Sequence, residues 1–180
     1  AQRETAHLVR DGIDANRAGE AAAAQFLDAF DQLKDKVISL YWPIGSEIDT
    51  RPLLNQLHGL SAICALPVIV GKGRPLIFKK WQPRMALVPG PFHVPVPPED
   101  TEVVIPELIV TPLLAFDGAG YRLGYGGGFY DRTLLMLREN GRCQAVGLAF
   151  TTQEIDAVVT DFYDERLDAL VTEKDVRMFA

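Results

Sequence analysis

Short apolar runs alternate with helical segments along this chain of 180 residues, and this alternation constrains the fold more than any other feature. Six runs rich in β-branched and aromatic residues are typical of strands: residues 37–44, 62–70, 75–81, 108–116, 144–150 and 169–172. Strands that alternate with helices form mainly parallel sheets with right-handed crossovers. The sequence therefore predicts an α/β fold, a single domain over residues 1–180 with three layers and helices on both faces of the sheet.

Three segments outside these strands predict helices. The first helix lies within residues 3–35, which are rich in Ala, Glu, Asp and Gln. The second begins after Asp49 or Thr50, either of which can cap it, and the third covers residues 132–139. Residues 83–106 hold seven of the twelve prolines, so we expect irregular extended backbone there rather than helix.

Charge and composition exclude several classes of protein. The net charge of −6 has the wrong sign for a protein that mainly binds nucleic acid. The longest apolar stretch, residues 60–70, is too short to span a bilayer and contains Pro67. Cys64 and Cys143 lie within apolar runs and are expected to be buried free thiols. No signal peptide precedes the first helix, so we expect a reducing, cytoplasmic compartment.

The most specific feature is a glycine-rich segment between the run at 108–116 and the helix at 132–139. Six of the fifteen glycines fall within residues 118–128. Glycine loses more conformational freedom than any other residue on folding, so this density requires a reason. A strand, a glycine loop and a helix start bring backbone N–H groups to one point. The segment therefore predicts an anion-binding site at the carboxyl ends of the strands.

The residues around these glycines narrow the chemistry. The spacing of Gly118, Gly120 and Gly124 misses the Rossmann pattern by one residue, and no Walker A sequence is present. Arg122 suits bidentate contact with phosphate. Asp131 is unfavourable beside phosphate alone but is a good ligand for Mg²⁺. The alternative is a long flexible turn in which Arg122 and Asp131 form a surface ion pair.

The glycine segment belongs to a longer motif that resembles a known family. The run LAFDGAGYRLGYGGGFYDR at residues 114–132 closely resembles the signature of 5-formyltetrahydrofolate cyclo-ligases, also called methenyltetrahydrofolate synthetases. The run YWPIGSEIDT at residues 41–50 is similar to the family's strand-turn motif, with its Glu and Thr. Shorter matches follow in the family's order at residues 66–67, 78–81, 153 and 167–173.

The resemblance implies an ATP-dependent ligase of folate one-carbon metabolism. Such an enzyme closes 5-formyltetrahydrofolate to 5,10-methenyltetrahydrofolate with Mg²⁺ and releases ADP and phosphate. The formyl oxygen attacks the γ-phosphorus, and N10 then displaces the phosphate. This chemistry requires mainly alignment and charge stabilisation. We expect a monomer that binds the folate and ATP but neither nucleic acid nor a membrane.

The resemblance also implies roles for individual residues. ATP would be bound by Arg122, Leu123, Gly124, Tyr125, Gly126, Gly127, Gly128, Phe129 and Tyr130. The folate would be bound by Trp42, Glu47, Phe92, Tyr125, Gly126, Gly127, Gly128 and Phe129. Arg122 and Tyr130 would act in catalysis, and Glu47 would pair with the amino-pyrimidine edge of the pterin. Asp131 and Asp168 match the family's magnesium carboxylates.

Several of these side chains have a plain structural alternative. Asp168 could be a surface carboxylate at the end of a strand, and Glu47 could be an exposed turn residue. Trp42 and Phe92 could be core or loop anchors instead of folate contacts. Trp81, which borders the proline-rich region, is expected to pack in the interior rather than bind a ligand.

The chain departs from the family's pattern in two places. The family opens with a Lys and an Arg four residues later, both of which reach ATP. This chain opens with Ala-Gln-Arg-Glu, and neither Arg3 nor Arg10 matches that pair securely. Either the opening is missing from the sequence or nucleotide binding is weakened. Gly127 stands where some members carry a basic residue, so one phosphate contact must come from the backbone.

Two other functions stay open beside the cyclo-ligase. One is a non-catalytic folate- or nucleotide-binding module on the same fold, which the missing basic pair supports. The other is an isomerase or phosphatase that acts on a sugar phosphate through the same loop. That enzyme would need a general base such as His or Glu beside the loop, and no histidine lies near residues 118–131 in the sequence.

Overall fold

A computed structural model describes residues 1–15 and 17–180 of the chain. Its α-helices are α1 (Gln2–Asp11), α2 (Ala18–Ala29), α3 (Arg51–Gly59) and α4 (Phe129–Glu139). Its strands are β1 (Val37–Ser39), β2 (Ile63–Val68), β3 (Ile77–Lys80), β4 (Val88–Pro89), β5 (Pro95–Val96), β6 (Val103–Val104), β7 (Leu108–Thr111), β8 (Ala115–Phe116), β9 (Arg122–Leu123), β10 (Gln144–Leu148), β11 (Ala169–Val171) and β12 (Val176–Met178).

One eight-stranded sheet organises the molecule, in the order β12-β11-β10-β7-β1-β2-β3-β6. The five central strands, from β11 to β2, are parallel to one another. Strands β12, β3 and β6 pair antiparallel at the two sides. Two small hairpins, β4–β5 and β8–β9, lie outside this sheet. The prediction of an α/β fold with a mainly parallel sheet is confirmed.

The two faces of the sheet carry separate apolar layers, because side chains alternate along each strand. Ile38 and Leu66 face the layer that contains Phe26 of α2 and the leucines of α3. Ile109 faces the opposite layer, together with Leu134 of α4. Helices therefore cover both faces, as the three-layer prediction requires.

Proline and an exposed edge explain where the strands differ from prediction. The run at residues 108–116 is not one strand: β7 ends at Thr111, and β8 pairs with β9 instead. Pro112 between them has no N–H to continue the ladder. The prediction also missed β12, a three-residue edge strand with a partly exposed arginine at its centre. Such a strand lacks the apolar alternation that sequence analysis uses.

The remaining predictions on packing are largely confirmed. Thr50 occupies the N-cap of α3, but its hydroxyl donates to the Tyr41 carbonyl, 2.5 Å away, instead of capping the helix. Cys64 and Cys143 are buried and free, and burial raises the pKa of the Cys64 thiol to about 12. Trp81 packs in the core. Among the described residues, no helix has the length and apolarity that crossing a membrane requires.

Candidate active site

A cavity of about 960 Å³ opens at the carboxyl ends of the central strands. Its walls include Trp42 after β1, Ile69 after β2 and Pro112 after β7. This is the place where open α/β sheets bind their ligands. Every residue predicted to bind ATP or the folate lines the cavity, and so does Asp131.

The glycine segment forms one wall of the cavity and leads into α4. Gly126 and Gly128 have φ angles of +97° and +69°, which side chains rarely adopt. Gly128 is the N-cap of α4 and supplies no side-chain cap. Within the described residues, the N–H groups of residues 125–128 make no hydrogen bond to another backbone group. These free donors and the helix N-terminus favour an anion at this wall.

We expect Gly126→Val to weaken ATP binding at least about tenfold while the unliganded protein stays folded. A branched side chain at φ +97° strains the backbone, and relief of this strain moves the N–H groups that face the cavity. Isothermal calorimetry with ATP measures the effect. Gly73→Val is the matched control, because Gly73 also has a positive φ of +73° but lies outside the cavity. Equal ATP affinities in both variants would contradict the role of the segment.

Three arginines surround the glycine segment. Arg122 has a side chain only 5% exposed, and Arg3 donates from Nε to the Gly124 carbonyl at 3.0 Å. Arg132 donates from Nη2 to the Gly127 carbonyl at 2.7 Å. In the described part of the chain, the Nε atoms of Arg122 and Arg132 are buried without a hydrogen-bond partner. These unpartnered donors lie beside free backbone N–H groups. Together they suit a polyphosphate, because its anionic oxygens accept hydrogen bonds from such donors.

Arg122 and Asp131 form an ion pair, but this pair is partly buried at the cavity and is not the surface ion pair of the alternative. The Arg122 Nη2 lies 3.1 Å from the Asp131 Oδ1, and Asp131 has a side chain 21% exposed. The Glu165 N–H also donates to Oδ1, at 3.1 Å. Among the described residues, nothing donates a hydrogen bond to Oδ2. Asp131 can therefore offer this oxygen to a cation in the cavity.

Asp168 lies outside the cavity. Its Oδ2 accepts hydrogen bonds from the Arg138 Nη2 at 2.9 Å and from the Ala145 N–H at 2.8 Å. Within residues 1–15 and 17–180, no group of three or more His, Cys, Asp or Glu side chains could hold a metal ion. The magnesium role of Asp168 stays a prediction, and its contacts here are those of a carboxylate that joins β10 to α4.

Glu47 lines the cavity and is buried, only 9% exposed, so it is not the exposed turn residue of the alternative. Its Oε1 accepts from the Ile44 N–H at 2.8 Å, and its Oε2 accepts from the Tyr125 hydroxyl at 2.8 Å. Burial raises the pKa of Glu47, and these two hydrogen bonds oppose the increase. Tyr125 therefore joins the glycine segment directly to the predicted folate-binding carboxylate.

Two further aromatic side chains, Phe92 and Trp42, line the cavity. Phe92 is 74% exposed and has a φ of +57°, and its ring meets the Phe129 ring at a centroid distance of 6.5 Å. Trp42 is half-buried, with the Arg51 guanidinium 5.9 Å from its ring. Neither aromatic residue is a fully buried anchor. Both offer apolar surface to a ligand in the cavity.

Several residues of the site were not assigned to it from the sequence. Arg3, Arg132, Asp161 and Asp164 also line the cavity. Arg132 is the last residue of the glycine-rich motif, and this position was the available signal. Arg3 approaches the segment from 121 positions away, so no local pattern could show it.

Comparison with known proteins supports this description. A profile of the 5-formyltetrahydrofolate cyclo-ligase family matches residues 3–173. The chain is 32% identical over 164 residues to the 5-formyltetrahydrofolate cyclo-ligase of Escherichia coli K12, covering 88% of this chain and 89% of the relative. It is 36% identical over 174 residues to that of Mycolicibacterium smegmatis, covering 92% of this chain and 82% of the relative.

A solved structure agrees with these sequence matches. The 5,10-methenyltetrahydrofolate synthetase of Aquifex aeolicus superposes with a TM-score of 0.81 at 30% identity. The match covers 98% of this chain and 90% of that chain. The glycine segment and the buried carboxylate that Tyr125 joins to it thus have a common explanation: this chain belongs to the 5-formyltetrahydrofolate cyclo-ligase family.

Proposed function

We propose that this cyclo-ligase closes 5-formyltetrahydrofolate to 5,10-methenyltetrahydrofolate in the cavity beside the glycine segment. ATP places its phosphates on residues 122–130, and the pterin ring lies against Glu47. The observation that carries this proposal is the 2.8 Å hydrogen bond between the Tyr125 hydroxyl and Glu47. It brings the anion-binding wall and the buried carboxylate into one site, as a reaction between two substrates requires.

The anion-binding wall supports the transfer of phosphate to the formyl oxygen. In this step the O–P bond forms and ADP leaves, and negative charge spreads over the equatorial phosphoryl oxygens. Arg122, Arg132 and the N-terminus of α4 face this charge from fixed positions. Fixed donors need little reorganisation when charge develops, and this is the main source of their catalytic effect.

Tyr130 can act as a hydrogen-bond donor but not as a base. Burial raises the pKa of Tyr130, and the nearby Glu47 raises it further, so the hydroxyl stays protonated. The Arg122 guanidinium lies 5.5 Å from the Tyr130 ring. We propose that this hydroxyl donates to an oxygen of the transferred phosphoryl group. N10 of the folate then attacks the formyl carbon and loses its proton, and the C–O bond to the phosphoryl group breaks, so that phosphate leaves and takes up the proton.

Mg²⁺ fits one side of this site. When bound, it would neutralise charge on the ATP phosphates. Proteins often hold Mg²⁺ through one or two carboxylates together with substrate phosphates. Asp131 lines the cavity and has an oxygen without a hydrogen-bond donor in the described part of the chain, so it can serve as such a ligand.

The folate side depends on charge and on aromatic surface. An ionised Glu47 can accept hydrogen bonds from the amino-pyrimidine N–H groups of the pterin. Phe92 and Trp42 also line the cavity and supply apolar surface. We also propose that the enzyme acts as a monomer in the cytoplasm.

We expect Glu47→Gln to raise the KM for 5-formyltetrahydrofolate at least about tenfold. Loss of one member of a buried charged hydrogen-bond pair typically weakens binding by about 2–5 kcal/mol, and 1.4 kcal/mol already corresponds to tenfold. The KM for ATP should change much less. Steady-state kinetics at saturating co-substrate gives both values, with the exposed Glu20→Gln as control. If the two KM values rise together, or only that for ATP rises, Glu47 does not bind the pterin.

The ATP-dependent increase in near-ultraviolet absorbance of the methenyl product tests the proposed function. A binding module would bind both substrates without this increase, and a sugar-phosphate enzyme would show neither. The structure does place one histidine near the segment: the His7 ring lies 5.9 Å from the Tyr125 ring. His7 does not line the cavity, so it is a poor general base for a sugar phosphate.

A further inference from the structure

We propose that Arg10 is a positioning residue, which fixes the Tyr125 hydroxyl so that it donates to Glu47. Arg10 lies on α1, where it is only 4% exposed. Its Nη1 donates to the Tyr125 hydroxyl oxygen at 2.5 Å and to the Leu113 carbonyl at 3.2 Å. Its Nε donates to the Ser46 Oγ at 2.9 Å. The inference rests on the proposed role of Glu47 as the pterin ligand.

The direction of these hydrogen bonds determines where the hydrogen of the Tyr125 hydroxyl points. Arg10 has donors only, so the Tyr125 oxygen must accept from it. The Tyr125 hydrogen is therefore available to a single acceptor, and it points to the Glu47 Oε2 at 2.8 Å. Without Arg10 this hydroxyl could rotate and offer Glu47 a lone pair instead of a hydrogen.

The positive charge of Arg10 is not balanced by a direct ion pair. Among the described residues, no carboxylate lies within ion-pair distance of Arg10. All three of its hydrogen-bond acceptors are neutral. A buried guanidinium in such surroundings is costly unless an anion compensates it. Two carboxylates lie one hydrogen bond beyond these acceptors: Glu47 beyond Tyr125, and Asp11 beyond Ser46. Of these two, Glu47 lines the cavity, and Arg10 lowers its pKa.

The protonation of Glu47 depends on the charge of Arg10. The ionisable groups that interact with Glu47 are Arg10, Tyr41, Tyr125 and Tyr130. Burial raises the pKa of each tyrosine, so all three are neutral at physiological pH. Arg10 is then the cation that opposes the effect of burial on Glu47. Its loss should raise the pKa of Glu47, and the carboxyl should take up a proton at a higher pH.

Helix α1 also connects this interaction to the nucleotide side. Arg3 lies two turns before Arg10 on the same helix and binds the Gly124 carbonyl. Two arginines of one helix thus hold adjacent residues of the glycine segment, Arg3 the backbone and Arg10 the Tyr125 side chain. Their effects should separate: Arg10 should govern the folate, while Arg3 faces the nucleotide.

The test is the pH dependence of the KM for 5-formyltetrahydrofolate in Arg10→Met. We expect this KM to rise at least about fivefold at pH 7.5, with smaller changes in kcat and in the KM for ATP. The pH below which the KM increases should also move upward, because the protonated Glu47 binds the pterin poorly. Arg10→Lys keeps the charge and should restore part of the loss. The exposed Arg142→Met is the control.

A double-mutant cycle separates positioning from a general loss of structure. If Arg10 acts through the Tyr125 hydroxyl, adding Arg10→Met to Tyr125→Phe should change the folate KM less than adding it to the natural protein. Additive effects, equal increases in both KM values, or an unmoved pH profile would overturn the proposal. If thermal unfolding of Arg10→Met is not cooperative, Arg10→Gln, which removes the charge but keeps a polar side chain, takes its place in the cycle and in the pH series.

Glu47→Gln, measured in parallel, distinguishes failure of this inference from failure of the proposed function. An unchanged folate KM in Glu47→Gln would refute the pterin assignment itself. A raised folate KM in Glu47→Gln but not in Arg10→Met would refute only the role of Arg10. The upward shift in pH should be absent in the Arg10→Met, Glu47→Gln double variant, because no carboxyl group remains there to titrate.

Discussion

Replacing Arg122 by methionine is expected to lower kcat at least about a thousandfold. Arginines that stabilise the charge of a transferred phosphoryl group contribute about 10³–10⁵ to kcat in comparable reactions. Arg122 is in a position to do this, because it is buried at the glycine segment and its Nε has no partner among the described residues. The rate of methenyl product formation at saturating ATP and folate measures the effect.

The loss of Arg122 also leaves Asp131 unpaired, so stability needs a control. Breaking a fully buried pair typically destabilises a protein by about 3–5 kcal/mol. The loss should be smaller here, because Asp131 keeps 21% of its side chain exposed. The double variant Arg122→Met, Asp131→Asn removes the unpaired charge and should regain stability without regaining activity. A kcat above about a tenth of the natural value in folded Arg122→Met would exclude its catalytic role.

Asp131→Asn should lower kcat/KM at least about a hundredfold, which corresponds to roughly 2.7 kcal/mol of transition-state stabilisation. The thermal midpoint should stay within a few degrees. An asparagine Oδ1 can still accept from Arg122 and from the Glu165 N–H, so the structural contacts of the residue persist. The substitution keeps both hydrogen bonds but removes the negative charge, which is both the charge offered to Mg²⁺ and the partner of Arg122.

A magnesium titration of both variants, Asp131→Asn and Asp168→Asn, separates the two carboxylates. Asp131→Asn should need more Mg²⁺ for half-maximal activity. Asp168→Asn should leave the Mg²⁺ requirement unchanged, because Asp168 lies outside the cavity, where it pairs with Arg138 and accepts from the Ala145 N–H. Nearly normal activity of Asp131→Asn at saturating Mg²⁺ would argue against its role as a ligand. A shifted magnesium requirement in Asp168→Asn would restore the prediction made from its sequence.

The central sheet and the glycine wall could be predicted because their signals are local. Strand β7 is apolar at every position but its last, and six glycines stand within eleven residues, 118–128, soon after it. Glu47 was singled out by the resemblance of the motif at residues 41–50, which follows a strand. In each case the residues that act together are neighbours in the chain or lie after a strand whose end is predictable.

The contributions of α1 could not be predicted, because they depend on tertiary contacts. Arg10 would be assigned to a solvated helix face by any periodicity argument, yet it is buried against Leu113 and Tyr125. Strand β12 was missed because an edge strand can be polar. The break at Pro112 has a local cause, but the new partner of β8, strand β9, is a tertiary choice that proline alone does not determine.

The position of α1 has a consequence for how this enzyme would fail on warming. Of its ten residues only Ala6 and Arg10 are buried, while Leu8 is 75% exposed and Val9 is 47% exposed. Segments with few buried apolar contacts open locally at a lower free energy than the core requires. Detachment of this helix would withdraw Arg3 and Arg10 together while the central sheet stays intact. Heat inactivation would then precede melting of the sheet, and bound substrates that hold the helix in place would delay it.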